Sequence, residues 1–215
     1  MIIFAGVIGA GKTTYAKRLA ETLGSRVFLE EVDDTPILTK YYEDAKRYAF
    51  SLQIHFLNKR FELIKEAFNE NDTVLDRSIY EDQVFAWANM KNGNISPEEW
   101  QIYTDLLDNM MEELEGTPKK APDLLIYLDV SFEHELANIK KRGRKFEQIE
   151  TDTTLLTYYK QLYDQYQDWI NHYDASEVLK IPADQYDIFN PNDWESVYGM
   201  IQERMDALNP AAILA

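Results

Sequence analysis

The sequence predicts an α/β fold in which a parallel sheet is covered by helices on both faces. Short apolar runs alternate along the chain with longer segments of helical periodicity. Strands joined by helices form parallel sheets, and strands buried on both faces are continuously apolar. The chain has 215 residues, 45% of them hydrophobic and 13% aromatic, which is enough for one domain with a full core.

Five short apolar runs are predicted to be the strands. They cover residues 2–5, 26–29, 73–75, 124–128 and 178–181. Their length and their Ile, Val and Leu content are typical of buried strands. We therefore expect a five-stranded parallel sheet.

The segments between these runs are predicted to be helices. They cover residues 12–23, 46–69, 80–90, 97–114, 132–141, 154–173 and 194–208. The longest has apolar residues at helical spacing, among them Ala49, Leu52 and Phe56. No repeat or linker interrupts the alternation, so residues 1–209 are predicted to be one domain and residues 210–215 a C-terminal tail.

Composition excludes several classes of function. The formal charge of −16 would repel a phosphate backbone, so nucleic acid is not expected as a partner. The absence of cysteine excludes disulfides and thiolate catalysis. The first strand begins at Ile2, which leaves no room for a signal peptide, and no apolar run is long enough for a membrane span. We expect a cytoplasmic protein that does not bind membranes.

The stretch "GVIGAGKT" matches the phosphate-binding pattern G-x-x-x-x-G-K-[ST] and lies between a predicted strand and a predicted helix. Glycines let such a loop turn around an anion, so that backbone N–H groups and the helix N-terminus face phosphates. Lys12 would reach the β- and γ-phosphates, and Thr13 would bind Mg²⁺. The predicted nucleotide-binding residues are Gly6, Val7, Ile8, Gly9, Ala10, Gly11, Lys12, Thr13 and Thr14.

ATP is favoured over GTP as the nucleotide. Guanine-specific GTPases carry an Asn-Lys-x-Asp motif. The one Asn-Lys pair here, Asn58-Lys59, continues with Arg-Phe inside a predicted helix. The cofactors expected are therefore ATP and Mg²⁺.

Acidic residues and an arginine follow two of the predicted strands. Ligands collect at the carboxyl ends of parallel strands. There Glu30 could take a proton from an attacking hydroxyl, Asp76 could contact Mg²⁺, and Arg77 could position Glu30. A solvated acidic turn is the alternative for the stretch that begins at Glu30, and a structural ion pair is the alternative for Asp76 and Arg77; both stay open.

Two further patterns indicate phosphate and base recognition. Arg142 and Arg144 form a basic turn in an acidic chain, which is typical of a lid that contacts phosphates. Gln53 and Arg60 are two turns apart on one helix face, with Phe56 between them, and could contact a nucleobase. A basic helix end and ordinary surface polarity are the alternatives.

Taken together, these stretches resemble the deoxynucleoside kinases, most closely the bacterial deoxyadenosine/deoxyguanosine kinases. The resemblance covers about residues 1–190. It rests on "GVIGAGKTT", "LEEVDDTPIL", "YYEDAKRYAFSLQIHFLNKRF", "LDRSIYED" and "KKRGRKFEQ". It implies a three-layer P-loop kinase fold, a short basic lid at about residues 142–150, and a homodimer.

The resemblance also implies catalytic roles. Glu30 matches the general base that accepts the 5′-hydroxyl proton, and Arg77 matches the arginine beside it. Asp76 takes the place of the acid in the family's acid-Arg-Ser motif. Arg142 and Arg144 match the lid arginines, which with Lys12 and Arg77 stabilise charge on the phosphoryl group.

Substrate-binding roles follow from the same resemblance. Tyr42 and Glu147 match the pair that holds the sugar 3′-hydroxyl. Gln53, Arg60 and Asp82 match the residues that read the base. The phenylalanine that stacks on the base in animal deoxycytidine kinase falls at Ala86 here, which leaves Phe56 as the candidate for that wall.

The predicted activity is ATP-dependent phosphorylation of the 5′-hydroxyl of a deoxynucleoside. Deoxyadenosine is the favoured substrate, and deoxyguanosine and deoxycytidine are next. Their bases carry an exocyclic amine from which Asp82 can accept a hydrogen bond, whereas thymine has none. The smaller wall at Ala86 leaves more room, which favours purines. Two alternatives stay open at this point. One is a nucleoside-monophosphate or other small-molecule kinase, and the other is a non-catalytic nucleotide-binding switch.

Overall fold

The structure is a computed structural model that describes residues 1–30, 35–67, 70, 72–115 and 121–208. In this part of the chain the strands are β1 (Ile2–Ala5), β2 (Val27–Phe28), β3 (Val74–Asp76), β4 (Leu124–Asp129) and β5 (Glu177–Pro182). They form a single sheet in the order β2-β3-β1-β4-β5, and every neighbouring pair is parallel. The predicted five-stranded parallel sheet is confirmed.

Helices cover both faces of the sheet. Within the described residues they are α1 (Lys12–Leu23), α2 (Pro36–Glu43), α3 (Ala45–Ala67), α4 (Asp82–Lys91), α5 (Pro97–Glu115), α6 (Phe132–Arg142), α7 (Thr154–His172) and α8 (Pro191–Leu208). Short 3₁₀ turns precede α4, follow α6 and follow β5.

The sequence did not predict α2. Pro36 stands at its first turn, where the fixed φ of proline suits a helix and its missing N–H costs no hydrogen bond. Leu38 and Tyr41 are its buried residues, too few for a clear periodic pattern. The helix places Tyr42 close to the sheet's carboxyl edge.

Alternating side chains of β1 enter different parts of the core, as a strand's period of two requires. Ile2 and Phe4 join a cluster with residues of α1, α7 and α8. Ile3 lies in a second cluster with Leu57 of α3 and Tyr103 of α5. The central strand is thus covered on both sides, and its carboxyl end opens into the loop before α1.

Some predicted features lie outside the described residues. These are the acidic stretch 31–34 after Glu30, the last two positions of the predicted helix 46–69, residue 209 and the tail 210–215. Among the residues that the structure describes, no helix combines the length and the apolar character needed to cross a membrane.

Candidate functional site

A cleft of about 1110 Å³ lies at the carboxyl ends of the strands and collects most of the predicted site residues. Those that line it are Ile8, Gly9, Ala10, Gly11, Lys12, Thr13, Thr14, Glu30, Tyr42, Gln53, Phe56, Arg60, Asp76, Arg77, Arg142, Arg144 and Glu147. Gly6, Val7 and Asp82 are buried behind its walls. Single small-molecule sites usually measure about 300–1,000 Å³, so the cleft is larger than a typical site for one ligand.

Glycine is required at two positions of the phosphate-binding loop. Gly6 has φ +142°, and a Cβ there would lie 3.0 Å from the carbonyl oxygen of Leu128. Gly9 has φ +77°, and its Cβ would lie 3.1 Å from the carbonyl oxygen of Glu135. Asn138 of α6 also holds the loop, because its Nδ2 donates to the Gly9 carbonyl at 2.8 Å.

Lys12 is the buried cation of this loop. Its Nζ donates to the carbonyl oxygens of Gly6 at 2.6 Å and Val7 at 2.8 Å. Burial, with the nearby charge of Arg77, lowers the pKa of Lys12 to about 8. The helix α1 begins at the same residue, so its positive N-terminal end opens into the cleft.

Thr13 and Asp76 form a polar pair beside Lys12. The Thr13 hydroxyl donates to Oδ2 of Asp76 at 2.5 Å. Burial raises the pKa of Asp76, and the Thr13 hydrogen bond and the charge of Lys12 oppose the rise. A hydroxyl and a carboxylate fit Mg²⁺, which commonly takes one or two protein oxygens together with substrate phosphates and water.

Glu30 lies in a cluster of positive charge. Arg60 Nη2 donates to Oε1 of Glu30, and Arg77 Nε lies 3.0 Å from Oε2. Burial alone would raise the pKa of Glu30, but Arg60 and Arg77 outweigh that effect and hold it below the ordinary value. Glu30 is therefore a carboxylate, the form that accepts a proton, at neutral pH.

Arg77 has an unusual backbone. Its φ is +94°, in the left-handed region that side-chain-bearing residues seldom adopt. The Nη1 atom donates to the hydroxyl of Tyr166 on α7 at 3.1 Å, and the backbone N–H donates to the carbonyl of Phe4 at 3.0 Å. Strained residues of this kind cluster at functional sites, where surrounding contacts hold them in place.

The predicted base-reading residues form one wall of the cleft. Arg60 pairs with Asp82, which is 2% exposed and lies behind it. Gln53 and Phe56 reach the cleft from the same helix, and the Arg60 guanidinium lies 5.4 Å from the centre of the Phe56 ring. Spacing on α3 placed these side chains correctly on one face.

Tyr42 and Glu147 lie at another end of the cleft, with the predicted lid arginines. Glu147 accepts hydrogen bonds from Arg142 Nη2 at 2.6 Å and from Arg144 Nη1 at 3.3 Å. The Tyr42 ring lies 4.8 Å from that of Phe146. Arg142 is the last residue of α6, and Gly143 follows in the left-handed region. Hydrogen bonds thus hold the turn 142–147 together around the buried carboxylate of Glu147.

Sequence reasoning missed several residues of the cleft. Phe85 lines it, 4.9 Å from the Arg77 guanidinium, whereas Ala86 is fully buried in the same core cluster as Ile79.

Residues 183–189, after β5, also line the cleft, on the side near Tyr15. The rule that ligands gather where parallel strands end applies to β5 as well, and could have indicated this segment. There His134 lies 3.1 Å from Asp184.

Known proteins match this chain over nearly its whole length. Residues 2–206 match the family described as deoxynucleoside kinase. The chain is 46% identical over 206 residues to the deoxyadenosine kinase of Lactobacillus acidophilus, covering 95% of this chain and 96% of that one. It is 45% identical to the deoxyguanosine kinase of Lactobacillus johnsonii, covering 95% and 92%. It is 38% identical to the deoxyadenosine/deoxycytidine kinase of Bacillus subtilis, covering 94% and 90%.

Solved structures give the same result. The deoxyadenosine kinase from M. mycoides with bound dATP superposes with a TM-score of 0.78 at 29% identity, covering 94% of this chain and 98% of that one. The complex of that kinase with dCTP also has a TM-score of 0.78. The sequence match, the shared fold and the loop-centred cleft agree: the chain belongs to the deoxynucleoside kinase family, whose members are phosphotransferases.

Proposed function

We propose that the protein transfers the γ-phosphoryl group of ATP to the 5′-hydroxyl of a deoxynucleoside, with deoxyadenosine preferred and deoxyguanosine and deoxycytidine next. One observation carries the proposal. The carboxylate of Glu30 and the ammonium of Lys12 face the same cleft, with Arg77 against Glu30. A proton acceptor and a phosphate-binding cation in one enclosed space are what this transfer needs.

ATP, the phosphoryl donor, would lie on residues 6–14. Lys12 would exchange its two loop carbonyls for phosphate oxygens, whose charge favours the protonated amine. Thr13 and Asp76 would hold Mg²⁺, which neutralises phosphate charge when it is bound. The segment 183–189 is proposed to contact the rest of the donor, since it lines the cleft beside Tyr15.

The acceptor base would lie against Gln53, Phe56 and Phe85. The Gln53 amide can donate and accept at once, as an adenine edge requires. Arg60 holds Asp82, which is proposed to accept from the exocyclic amine. Thymine has no such amine, so thymidine should be a poor substrate.

The sugar would lie between the base wall and the turn that holds Glu147. Tyr42 and Glu147 are proposed to bind the 3′-hydroxyl. Glu147 has an oxygen near each lid arginine, so a bound sugar and the lid would share this carboxylate. Closure of residues 142–150 would exclude water, which otherwise competes as acceptor. These residues belong to the single domain proposed for 1–209.

In the transfer step, Glu30 would remove the 5′-hydroxyl proton as the oxygen–phosphorus bond forms. The bond between the γ-phosphorus and its bridging oxygen breaks, and ADP leaves. Lys12, Arg77, Arg142 and Arg144 would stabilise negative charge on the transferring group. Arg77 also keeps Glu30 ionised before the reaction.

The experiment that tests this function measures ADP release with ATP·Mg²⁺ and one acceptor in each well. The acceptors are deoxyadenosine, deoxyguanosine, deoxycytidine, thymidine and dTMP. We expect strong turnover with deoxyadenosine and little with thymidine. Turnover with dTMP alone would indicate a monophosphate kinase, and ATP binding without turnover in any well would indicate a nucleotide-dependent switch.

We also propose a homodimer, as the resemblance to the family implies. Ile102 on α5 and Leu156 on α7 are large apolar side chains with 56% and 44% exposure, and a subunit interface that included them would cover them. Light scattering coupled to gel filtration measures the mass directly. A monomer mass at micromolar concentration would contradict the proposal.

A further inference from the structure

Glu81 is a buried carboxylate to which the sequence assigned no role. It closes the 3₁₀ turn Ile79–Glu81, which follows Arg77 and Ser78, and its exposure is 0%. It does not line the cleft among the described residues, and both of its oxygens accept hydrogen bonds from backbone groups of the protein itself. A buried carboxylate is costly unless it is paired and hydrogen-bonded, so its contacts indicate what it holds.

One oxygen of Glu81 holds the phosphate-binding loop. Its Oε2 accepts from the backbone N–H of Gly6 at 3.1 Å. Gly6 is the first glycine of the loop and has a φ of +142°, a conformation that glycine adopts freely and that residues with a side chain rarely adopt. Glu81, which does not line the cleft among the described residues, fixes the direction of this N–H and so the start of the loop.

The other oxygen holds the turn that carries Arg77. Oε1 accepts from the backbone N–H of Ser78 at 3.3 Å, and the Ser78 hydroxyl oxygen accepts from the backbone N–H of Tyr80 at 3.1 Å. This reciprocal arrangement is a capping box. It fixes the backbone directly after the left-handed Arg77.

Glu81 also faces the Arg77 guanidinium. Its Oε1 lies 3.7 Å from Nη1 of Arg77, while Nε of the same group lies 3.0 Å from Glu30. Arg77 is thus placed between two carboxylates: that of Glu30, which lines the cleft, and that of Glu81, which does not line it. Tyr166 accepts a further hydrogen bond from the same nitrogen, Nη1.

We infer that Glu81 is a positioning residue for phosphoryl transfer, which holds the phosphate-binding loop through Gly6 and the acceptor-side arginine through Arg77 in one fixed relation. The donor and acceptor halves of the site meet at this single side chain. Its contribution comes in the transition state, where the γ-phosphoryl group and the 5′-oxygen must be aligned. This inference rests on the proposed function.

The negative charge of Glu81 is the property that matters. A glutamine of the same shape would accept one backbone hydrogen bond but turn an amide NH₂ toward another donor, either an N–H or the guanidinium. Arg77 would then lose one of its two carboxylates, and Gly6 or Ser78 would lose its acceptor. A displacement of about 1 Å in a reacting group can lower the rate by about 100-fold.

The test compares Glu81→Gln with a matched control, Glu135→Gln. Glu135 on α6 is also 0% exposed and also close to Lys12, but its carboxylate has no hydrogen-bond partner among the described residues. Burial raises the pKa of Glu135 to about 8, so glutamine closely mimics its neutral form at pH 7. For each variant we would measure kcat, KM for ATP, KM for deoxyadenosine and the urea midpoint.

We expect Glu81→Gln to lower kcat by about 10- to 100-fold while both KM values stay within about threefold. Glu135→Gln should keep kcat within about twofold. A purely structural role for Glu81 predicts a lower urea midpoint with normal kcat at a temperature where the variant is folded. That result, or an equal kcat loss in both variants, would overturn the inference.

A second variant covers the case in which Glu81→Gln does not fold. Glu81→Asp keeps the charge but is one methylene too short to hold Gly6 and Arg77 together, so kcat should again fall. Wild-type kcat in Glu81→Asp would overturn the inference. Failure of the proposed function looks different, because the wild-type protein itself would then release no ADP in response to an acceptor.

Discussion

Glu30 and Arg77 meet because they extend neighbouring strands from the same register. Phe28 of β2 pairs with Leu75 of β3, and each functional residue lies two positions beyond that pair. Arg77 Nε is 3.0 Å from Oε2 of Glu30 as a result. Parallel strands bring their carboxyl ends to one edge, so a base and its arginine from distant parts of the sequence are placed side by side.

Replacing Glu30 by glutamine should abolish most catalysis and leave nucleotide binding intact. The amide is nearly isosteric but does not accept the 5′-hydroxyl proton, so kcat should fall by about 100- to 10,000-fold. Steady-state ADP release and the affinity for a non-hydrolysable ATP analogue are the measurements. Glu112→Gln on the exposed face of α5 is the matched control. Normal turnover in Glu30→Gln would remove this residue from its role.

Arg60 should set the acid limit of activity. Activity requires ionised Glu30, whose pKa burial would raise and Arg60 and Arg77 lower. Arg60→Met removes one of the positive charges that lower it, so the pKa of Glu30 rises and the acid limb of kcat/KM moves to higher pH. The height of the profile also falls if Arg60 binds the base, so the position of the limb is the readout.

Arg26→Met is the control for the Arg60 experiment, because Arg26 is half exposed and pairs with Glu70 on the surface. Its acid limb should coincide with that of the wild type. An unchanged limb in Arg60→Met would show that Arg60 does not control the ionisation of Glu30.

Nucleotide affinity should weaken at alkaline pH. The pKa of Lys12 is lowered to about 8, so the free protein loses this positive charge as pH rises above that value. Bound phosphate favours the charged amine, so the Kd for ATP should rise by up to about tenfold per pH unit above pH 8. Titrations between pH 7 and 9.5 measure the slope.

Lys12→Arg is the comparison for the alkaline slope. Its guanidinium stays charged throughout this range, so its Kd, whatever its absolute value, should be nearly independent of pH. The same alkaline slope in both proteins would assign the titration to another group.

Two glycine-to-alanine changes should have opposite effects on stability. Gly9 has φ +77°, and a Cβ there would meet backbone at 3.1 Å, so Gly9→Ala should cost about 1–3 kcal/mol and weaken ATP binding. Gly199 lies within α8 with no atom within 4 Å of an added Cβ, so Gly199→Ala should stabilise by about 0.5–1 kcal/mol. Urea unfolding distinguishes them, and equal effects would contradict the role assigned to the Gly9 backbone.

Local patterns were sufficient for the sheet and the phosphate-binding loop. Lys12 and Thr13 were identified because the loop is contiguous and its motif depends on nearby glycines. Gln53, Phe56 and Arg60 were placed on one face because a helix repeats every 3.6 residues. The strands were recognised by apolar runs, although β2 is shorter than predicted and contains two residues.

The helix α2 shows where local patterns were insufficient. Its eight residues bury two side chains, and its position depends on packing against α3, which a short segment does not encode in its own periodicity. The difference between Phe85 and Ala86 has the same origin. Adjacent residues of α4 point in different directions, and which of them faces the cleft depends on how the helix is rotated against α7 and the sheet.

The sequence by itself determined the class of fold, the phosphate-binding loop and the residue types that a phosphoryl transfer needs. The tertiary structure alone decided that Glu81 lies under Gly6 and Arg77 and that Asp82 stands behind Arg60. It also decided that residues 183–189 complete the cleft. The physical reason is the range of the interactions involved. Motifs and periodicity arise from neighbours along the chain, whereas these contacts join strand ends and helices whose relative positions are set by sheet register and core packing.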